Sequence, residues 1–358
     1  MSLDEFLKNP LSRWLGSGAP DSDIILSSRI RLARNLEEFP FPLSMNQQQA
    51  EEVIKRVEQA LAAPEIHERF GLLALYRLDA LSPLDRQVAV EKHLISPQHA
   101  AEGQGRAVAI KDDESISLMV NEEDHLRMQF LMAGLQLEKA WETANVFDDA
   151  LEGRITYAFD PQRGYLTACP TNVGTGLRAS VMAHLPALVM TNQAGPIFAS
   201  ITKLGMVVRG LFGEGSQAAG NIFQISNQIT LGQSESEIIT KLTGITRQII
   251  GQERAAREIL QREMHEQLED RICRSYGILS NARIMSSEEA MRLWSDVRLG
   301  IDLEMVSGIS PAVLNELLVA VRPNYLQKLS GKELNPFERD LRRAALIRGK
   351  LERQRSDG

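Results

Sequence analysis

The sequence predicts an α+β fold in which an antiparallel sheet is flanked by helices and followed by an all-helical C-terminal domain. Strand-like segments follow one another through tight turns at residues 107–110 and 116–120, and again at 155–159 and 164–168. Consecutive pairing of this kind is typical of antiparallel sheets. After Ser234 the composition changes to long, charged segments with leucine and isoleucine at helical spacing, which predicts a separate helical domain.

The length and composition limit the function classes. A chain of 358 residues is long enough for two domains. The formal net charge of −7 argues against nucleic-acid and anionic-membrane partners. The two cysteines, Cys169 and Cys273, lie in no metal-ligand spacing, so we predict no metal site and no disulfide framework. The N-terminus is not a signal peptide and no apolar run is long enough for a membrane span, so a cytoplasmic protein is expected.

The first strand-like run carries two arginines. If residues 24–32 are extended, Arg29 and Arg31 lie on the same face, because side chains alternate along a strand. Two forked cations on one face suit a polyphosphate, although this segment alone favours a surface strand with ordinary arginines. A helix over 45–62 follows, and Ser82-Pro83 predicts the start of another helix, which His93 ends.

Residues 121–127 read Asn-Glu-Glu-Asp-His-Leu-Arg, and the three adjacent carboxylates repel one another. Such a run is either a solvated turn or a site for positive charge. A buried strand at 116–120 precedes it, and residues 126–141 have the apolar spacing of a helix. The acids therefore stand at a strand-to-helix junction in this prediction, and we expect them to face a cleft.

Residues 169–180 form a glycine-containing segment that ends in Arg178, with a helix predicted over 179–190. Arg178 would then stand at a helix start, where backbone N–H groups favour anions. The Gly-x-Gly-x-x-Ala pattern at 174–179 is not a dinucleotide fingerprint, because no acid follows about 20 residues on and no βαβ unit surrounds it. Strands at 204–212 and 221–230 follow, and helices are predicted over 235–276, 287–299, 311–321 and 336–353.

Four motifs together carry a resemblance. They are Ser-Ser-Arg-Ile-Arg at 27–31, Asn-Glu-Glu-Asp-His-Leu-Arg at 121–127, Cys-Pro-Thr-Asn-Val-Gly-Thr-Gly-Leu-Arg-Ala at 169–179, and Arg-Gly-x-x-Gly-Glu at 209–214. They closely resemble the catalytic domain of the phosphagen (guanidino) kinase family over about residues 20–255, which implies that family's antiparallel sheet. The chain lacks the family's helical N-terminal domain and adds a C-terminal one. With Arg-Asp-x-x-Arg-Ala at 339–344, it is most similar to the family's bacterial branch of protein-arginine kinases.

The resemblance assigns roles to particular residues. The phosphate-binding arginines are Arg29, Arg31, Arg127, Arg178 and Arg209. The nucleotide site is lined by these and by Ser27, Ser28, Ile30, His93, Ala179, Ser180, Val181, Met182, Gly210, Leu211, Phe212, Gly213 and Glu214. The catalytic residues are Glu123, Glu214, Cys169 and, carried over less firmly, Glu122. Phosphoarginine recognition falls to Arg339, Asp340 and Arg343.

These residue types suit transfer to a guanidino group. A guanidinium is a poor nucleophile because it stays protonated, so two carboxylates must orient it and accept its proton. Arginines replace the lysine and glycine loop of other kinases around the triphosphate, assisted by Mg²⁺ carried on the nucleotide. Cys169, expected near a helix start, would be a stabilised thiolate. The domains implied are an N-terminal segment at 1–20, a catalytic domain at 21–254 and a helical domain at 255–358.

The resemblance implies an ATP-dependent kinase of arginine side chains in proteins, which marks them for Clp degradation in stress-related quality control. The implied partners are arginine-containing substrates such as a heat-shock transcriptional repressor, a Clp ATPase, a zinc-binding activator and a second copy of the chain. Two alternatives remain open. One is a kinase of free arginine or another small guanidino compound, and the other is an inactive adaptor that only binds phosphoarginine.

Overall fold

The computed structural model describes residues 7–10, 12–210 and 219–356. Its strands are β1 (Ile25–Arg34), β2 (Leu73–Arg77), β3 (Ala107–Lys111), β4 (Ile116–Val120), β5 (Leu126–Ala133), β6 (Phe159–Asp160), β7 (Gly164–Tyr165), β8 (Leu177–His184), β9 (Met206–Gly210) and β10 (Ile222–Asn227). Eight of them form one antiparallel sheet in the order β2-β3-β4-β5-β1-β8-β10-β9. The predicted α+β class and antiparallel sheet are confirmed.

Helices surround this sheet and make up the C-terminal part of the described chain. They span Gln47–Leu61, Pro64–Phe70, Pro83–Glu91, Pro97–Ala101, Leu137–Glu152, Pro186–Met190, Ala194–Lys203, Glu235–Glu263, His265–Asn281, Ser287–Asp302, Pro311–Ala320, Pro323–Ser330 and Pro336–Ser356. Local sequence sets several of their starts. Ser82 caps the helix at Pro83, and Ser234 with Glu237 forms a capping box at Glu235.

Alternate side chains of strand β1 lie on opposite faces of the sheet. Ile30 and Leu32 are fully buried on the face that packs against helix Leu137–Glu152. On the same face Arg34 donates from Nη2 to Asp148 of that helix at 2.6 Å. The alternate residues, Arg29 and Arg31, therefore project from the opposite face.

The helix predicted over 126–141 is wrong. Residues Leu126–Ala133 form strand β5, and the helix begins only at Leu137. Leu126, Met128 and Phe130 alternate along β5 and are buried. Pairing on both sides, with the neighbouring strand β4 and with β1, which is distant in sequence, decides for the strand over helical spacing. The acidic segment is thus a hairpin turn between β4 and β5.

The helix predicted over 179–190 is also wrong. Residues Leu177–His184 form β8, between β1 and β10, and a short helix follows at Pro186–Met190. Arg178 consequently lies on a strand and has no helix start beside it. Cys169 precedes only a three-residue 3-10 helix, Pro170–Asn172, so the helix-start argument for its thiolate does not hold.

Other elements also differ from the sequence prediction. The strand pair expected at 155–168 shrinks to β6 and β7, which form a separate two-stranded sheet. The long helix expected over 235–276 is broken at Met264, where ψ changes to 33°. The sequence analysis did not predict helix Pro323–Ser330, which follows a helix end at Ala320 after only two residues.

The C-terminal helices pack against the sheet domain and the N-terminal segment. Arg298 donates to the Ser22 carbonyl at 2.7 Å, and Asn315 donates to the Leu15 carbonyl at 2.7 Å. His184 at the end of β8 lies 2.8 Å from Ser295 Oγ. Apolar residues of both regions belong to one buried cluster. In the ranges the structure describes, none of the helices combines the length and apolarity that a membrane span requires.

Candidate active site

The five predicted phosphate-binding arginines lie on one face of the sheet. Arg31 of β1 is directly opposite Arg178 of β8, and Arg127 of β5 is opposite Ala33, two residues further along β1. Directly paired residues share a face. Arg29 pairs with Ser180, which is opposite Ser226, and Arg209 pairs with Gln224, two residues from Ser226. The register therefore brings all five side chains to the face that projects away from helix Leu137–Glu152.

This face concentrates positive charge around Arg29 and Arg31. Burial, followed by repulsion from Arg127 and Arg178, lowers the pKa of Arg29 to about 9. Burial and the charges of Arg29, Arg127 and Arg178 also lower the pKa of Arg31 well below its usual value. The buried Nε of Arg31 has no hydrogen-bond partner within the described residues. An anion bound here would supply the missing partner and relieve the repulsion.

The predicted nucleotide stretches contribute only alternate side chains to this face. Ser28 pairs with Val181, and Ile30 pairs with Ala179, so these four side chains lie on the helix-covered face. Ser28 Oγ donates to the Gly134 carbonyl at 2.8 Å, which is a structural contact. Ser27, Ser180 and Met182 share the face with the arginines. Gly210 ends β9, whereas Leu211, Phe212, Gly213 and Glu214 lie outside the described residues.

The acidic turn gives each of its residues a different environment. Asn121 takes a left-handed φ of 59° and its amide donates to the carbonyls of Ala50 and Gly105, which fixes the turn. His125 accepts from the Leu36 N–H at Nδ1, so Nε2 donates to the Pro40 carbonyl. Burial lowers the pKa of His125 to about 4, and it is a neutral structural residue at physiological pH.

Glu122 is turned away from the pocket toward Arg127. Its side chain is only 1% exposed, and both its oxygens accept from Arg127 Nη1 at 2.6 Å. Ser96 Oγ also donates to it. Burial alone would raise the pKa of Glu122, but the charge of Arg127 and these hydrogen bonds outweigh burial and lower it. The geometry favours a positioning role for Glu122, which differs from the catalytic role predicted.

Glu123 and Cys169 face each other in a small pocket. The Cys169 sulfur lies 3.0 Å from Thr171 Oγ1, and its interaction with Glu123 acts to lower the pKa of that carboxyl. Burial, followed by repulsion from Asp124 and Glu122, raises the pKa of Glu123. The pocket, which we call the acceptor pocket, has a volume of about 100 Å³. Its other lining residues include Arg31, Arg127 and Arg178, so acids and arginines meet within it.

Asp124 connects the acidic turn to the cysteine segment. Its Oδ1 accepts from Asn35 Nδ2 at 2.6 Å and from the Ala168 N–H at 2.7 Å. Because Ala168 directly precedes Cys169, this carboxylate sets the position of the thiol relative to Glu123. The sequence analysis expected Asp124, with the other two acids, to face a cleft, and the fold shows that it lines the acceptor pocket and also holds this loop.

The chain matches known protein families over most of the sheet and over the C-terminal helices. The family described as ATP:guanido phosphotransferase, C-terminal catalytic domain, matches residues 52–256, and the protein-arginine kinase McsB C-terminal domain matches 265–358. The chain is 55% identical to the protein-arginine kinase of Moorella thermoacetica over 337 residues, covering 94% of this chain and 96% of that protein. It is 57% identical to that of Symbiobacterium thermophilum over 351 residues, covering 98% and 99%.

The chain belongs to the protein-arginine kinase family. It is accordingly an enzyme, a phosphotransferase with a guanidino acceptor. Among solved structures, a lombricine kinase is similar with a TM-score of 0.59 and 26% identity, covering 67% of this chain and 69% of that chain. This relationship agrees with the phosphagen-kinase-like sheet that the motifs implied.

In this member of the protein-arginine kinase family, Trp14 of the N-terminal segment lies beside the predicted nucleotide residues, although the sequence analysis did not identify it. Trp14 lines a cavity with Ser27, Arg29, His93 and Met182, all predicted nucleotide residues. The rings of Trp14 and His93 meet edge to face at 5.4 Å. Burial, then the charges of Arg29 and Arg322, lowers the pKa of His93 to about 3, so the imidazole is neutral. No local sequence signal identified Trp14, since its neighbours in space are distant in sequence.

A second residue that the sequence analysis did not identify is Arg34, which contacts the segment that carries Cys169. Arg34 is 1% exposed, donates to Asp148, and donates from Nη1 to the Thr175 carbonyl at 3.0 Å. Its guanidinium carbon lies 3.5 Å from the centre of the Tyr165 ring. A Cβ at Gly176 would come within 2.5 Å of Arg34 Nη1, so only glycine fits at this position. The arginine therefore fixes the end of the loop that carries Cys169.

The predicted phosphoarginine residues lie at the start of helix Pro336–Ser356. Arg343 is 2% exposed and donates to the carbonyls of Val321 and Met285, each at 2.8 Å, and to Asp340. Arg339 is half-buried and donates to the Leu334 carbonyl at 3.3 Å. Arg343 is thus engaged within the protein, and Arg339 is the more accessible of the two arginines.

Proposed function

We propose that this enzyme uses Mg²⁺-bound ATP to phosphorylate arginine side chains of proteins. The observation that carries the proposal is the acceptor pocket, in which Glu123 and Cys169 meet the arginine face of the sheet. An acceptor guanidinium requires carboxylate partners, and a triphosphate requires cationic partners. The pocket offers both within about 100 Å³.

The arginine face fits the nucleotide phosphates. The unpartnered Nε of Arg31 and the lowered pKa values of Arg29 and Arg31 are features of a site built for an anion. Arg127 would be oriented for the same phosphates by Glu122. When bound, Mg²⁺-ATP supplies the phosphoryl group and offsets part of its own charge.

Glu123 is placed to act as the general base. In the transfer the guanidino nitrogen forms a bond to the γ-phosphorus, the bond from that phosphorus to the bridging oxygen of ADP breaks, and Glu123 accepts the guanidinium proton. Its raised pKa brings the carboxyl closer to the operating pH, as a base requires. Cys169 contributes a second contact to the acceptor, and Glu214 is proposed as the second carboxylate on the basis of the motif at 209–214.

The cellular role proposed is protein quality control under stress in the cytoplasm. Phosphoarginine on damaged proteins would mark them for a Clp ATPase and its protease, and a heat-shock transcriptional repressor would be one substrate. A zinc-binding protein is proposed as an activator, and the chain as a homodimer. These roles rest on the family resemblance.

The decisive experiment is mass spectrometry of an arginine-containing protein treated with ATP and either the wild-type enzyme or Glu123→Ala, under non-acidic conditions that preserve the N–P bond. Phosphoarginine should appear with the wild type alone. Free arginine is assayed in parallel. Robust turnover of free arginine without protein modification would favour the small-guanidine kinase, and no N-phosphate in either assay would favour the adaptor.

The C-terminal motif is proposed to bind the enzyme's own product. Arg339 and Asp340 would complement the phosphate and the remaining N–H groups of phosphoarginine. If so, pre-phosphorylation of the enzyme changes the activity of the wild type but not of Arg339→Ala. Equal responses of the two proteins would contradict this role.

A further inference from the structure

A second cavity lies beside the acceptor pocket. It has a volume of about 350 Å³ and is lined by residues that include Phe159, Tyr165, Gly174, Leu231 and Gln233. We call it the flanking groove. It is formed by the small β6–β7 sheet on one side and by residues 230–235 on the other.

Large apolar side chains face this groove and remain accessible to solvent. Phe159 is 55% exposed and Leu231 is 54% exposed. The Phe159 ring packs edge to face on Tyr165 at 5.2 Å, which holds it at the rim. Single exposed apolar residues are ordinary on protein surfaces, but two that line one cavity are typical of a binding surface.

One loop separates the groove from the acceptor pocket. Cys169, Thr171 and Gly176 line the acceptor pocket, whereas Gly174 and Thr175, from the same loop, line the groove.

Hydrogen bonds hold this loop, which forms the wall between the two cavities, in place. Thr230 Oγ1 donates to the Thr171 and Val173 carbonyls, at 2.9 and 2.7 Å. Tyr165 and Gly174 exchange backbone hydrogen bonds. A Cβ at Gly174, where φ is +110°, would lie 2.7 Å from the Thr230 carbonyl, so the loop cannot carry a side chain there.

The acceptor is one side chain of a polypeptide, so the rest of that polypeptide must lie outside the acceptor pocket. The wall between the two cavities is this one loop, and neighbouring packed chain segments lie roughly 5 Å apart, so a residue in the pocket is on the order of 10 Å from one in the groove. An extended chain covers that distance in roughly two to four residues at ~3.3 Å per residue. The groove is therefore within reach of residues close to the target arginine.

We propose that the flanking groove binds an apolar side chain of the substrate protein, two to four residues from the arginine that is phosphorylated. The occupant is an extended segment of the substrate, because the groove continues the surface over which that segment must pass. This inference rests on the proposed phosphorylation of protein arginines and specifies which arginines are preferred. Arginines flanked by accessible leucine, isoleucine or phenylalanine are the better substrates.

The test compares peptides with a single arginine and either leucine or serine at each position two to four residues before or after it. With the wild type, leucine at one or more of these positions should raise kcat/KM by about five- to tenfold over serine. Phe159→Ser and Leu231→Ser should each reduce this preference to within about twofold. The KM for ATP should stay unchanged in both variants.

The matched control is Leu43→Ser, which removes a leucine that is 88% exposed and outside the groove. It should retain the full leucine preference. Circular dichroism and melting temperature confirm that all variants are folded. Phosphorylation without any leucine preference would overturn the proposed role of the groove but not the proposed function. A preference that persists in both groove variants would do the same. The absence of phosphoarginine on every peptide and protein would instead overturn the proposed function.

Discussion

Arg31 and Arg178 lie directly opposite each other on β1 and β8. Like charges in that position destabilise a sheet by roughly 0.2–1 kcal/mol. The protein keeps this repulsion between two adjacent inner strands of its sheet. Such a conflict between stability and charge is characteristic of a site that binds a ligand of opposite charge.

Replacing one of these arginines should separate stability from binding. Arg31→Met removes the repulsion, and the Nε of Arg31 has no hydrogen bond to lose within the described residues, so we expect the nucleotide-free protein to gain about 0.2–1 kcal/mol in free energy of unfolding. The variant should lose about 10- to 100-fold in affinity for ADP, because a charged hydrogen bond contributes about 1.5–3 kcal/mol. Urea denaturation and calorimetric titration measure the two effects. A variant that is less stable than the wild type would contradict the interpretation.

Glu122 and Glu123 are adjacent but should respond differently to the same substitution. Glu123→Gln removes the proposed base and should lower kcat by about 10²–10⁴-fold, with the affinity for ADP nearly unchanged. Glu122→Gln removes the charge that orients Arg127, so the KM for ATP should rise about tenfold. Steady-state kinetics with varied ATP distinguishes them, and identical kinetic defects would argue against separate roles.

Trp14 should report on the nucleotide. The cavity it shares with His93 and Arg29 is about 10 Å³, room for about one water, so a base can enter only if these side chains move. Binding of ADP should therefore change the intrinsic fluorescence of the wild type. Trp14→Phe should lose most of this change, while the control Trp141→Phe, in helix Leu137–Glu152, should keep it. If Trp14→Phe retains the full signal, the cavity is not part of the nucleotide site.

The buried pair of Arg34 and Asp148 should dominate the stability of the cysteine loop. Asp148→Ala leaves a buried, unpaired guanidinium and should cost about 3–5 kcal/mol of unfolding free energy. Glu65→Ala breaks an ion pair with Arg154 in which both side chains are 48% exposed, and should cost much less, because solvent screens the pair. Chemical denaturation measures both. Similar losses of unfolding free energy in the two variants would show that the buried pair stabilises the protein no more than the exposed pair does.

Buried histidines should make the protein sensitive to acid. Burial lowers the pKa of His99 to about 4, below the value of about 6.5 in the unfolded chain. The unfolded state therefore binds the proton more tightly, and stability falls as pH drops from about 6.5 toward 4. Between pH 7.5 and 5.5 this one histidine should account for about 1 kcal/mol.

His99→Gln keeps a donor for the Ala107 carbonyl and should reduce the loss of stability between pH 7.5 and 5.5 by that amount. His67→Gln, at an exposed position, is the control and should keep the full loss. Denaturant unfolding at both pH values measures the difference. An unchanged pH dependence in His99→Gln would show that this histidine does not couple to folding.

The sequence by itself determined the features that depend on neighbouring residues. It gave the helix starts at Pro83 and Glu235, since caps act within one turn, and the strands at 107–110 and 116–120. The motifs at 27–31, 121–127 and 169–179 also identified most of the residues that now line the acceptor pocket and the arginine face.

Only the tertiary structure decided which way those residues point. Residues 126–133 and 177–184 have apolar spacing that fits a helix or a strand, and pairing with distant strands selects the strand. That choice places Arg127 and Arg178 beside Arg31, and it turns Glu122 toward Arg127 while Glu123 faces Cys169. Trp14 and Arg34 could not be found from sequence, because their contacts join residues far apart in the chain, and such contacts leave no local pattern.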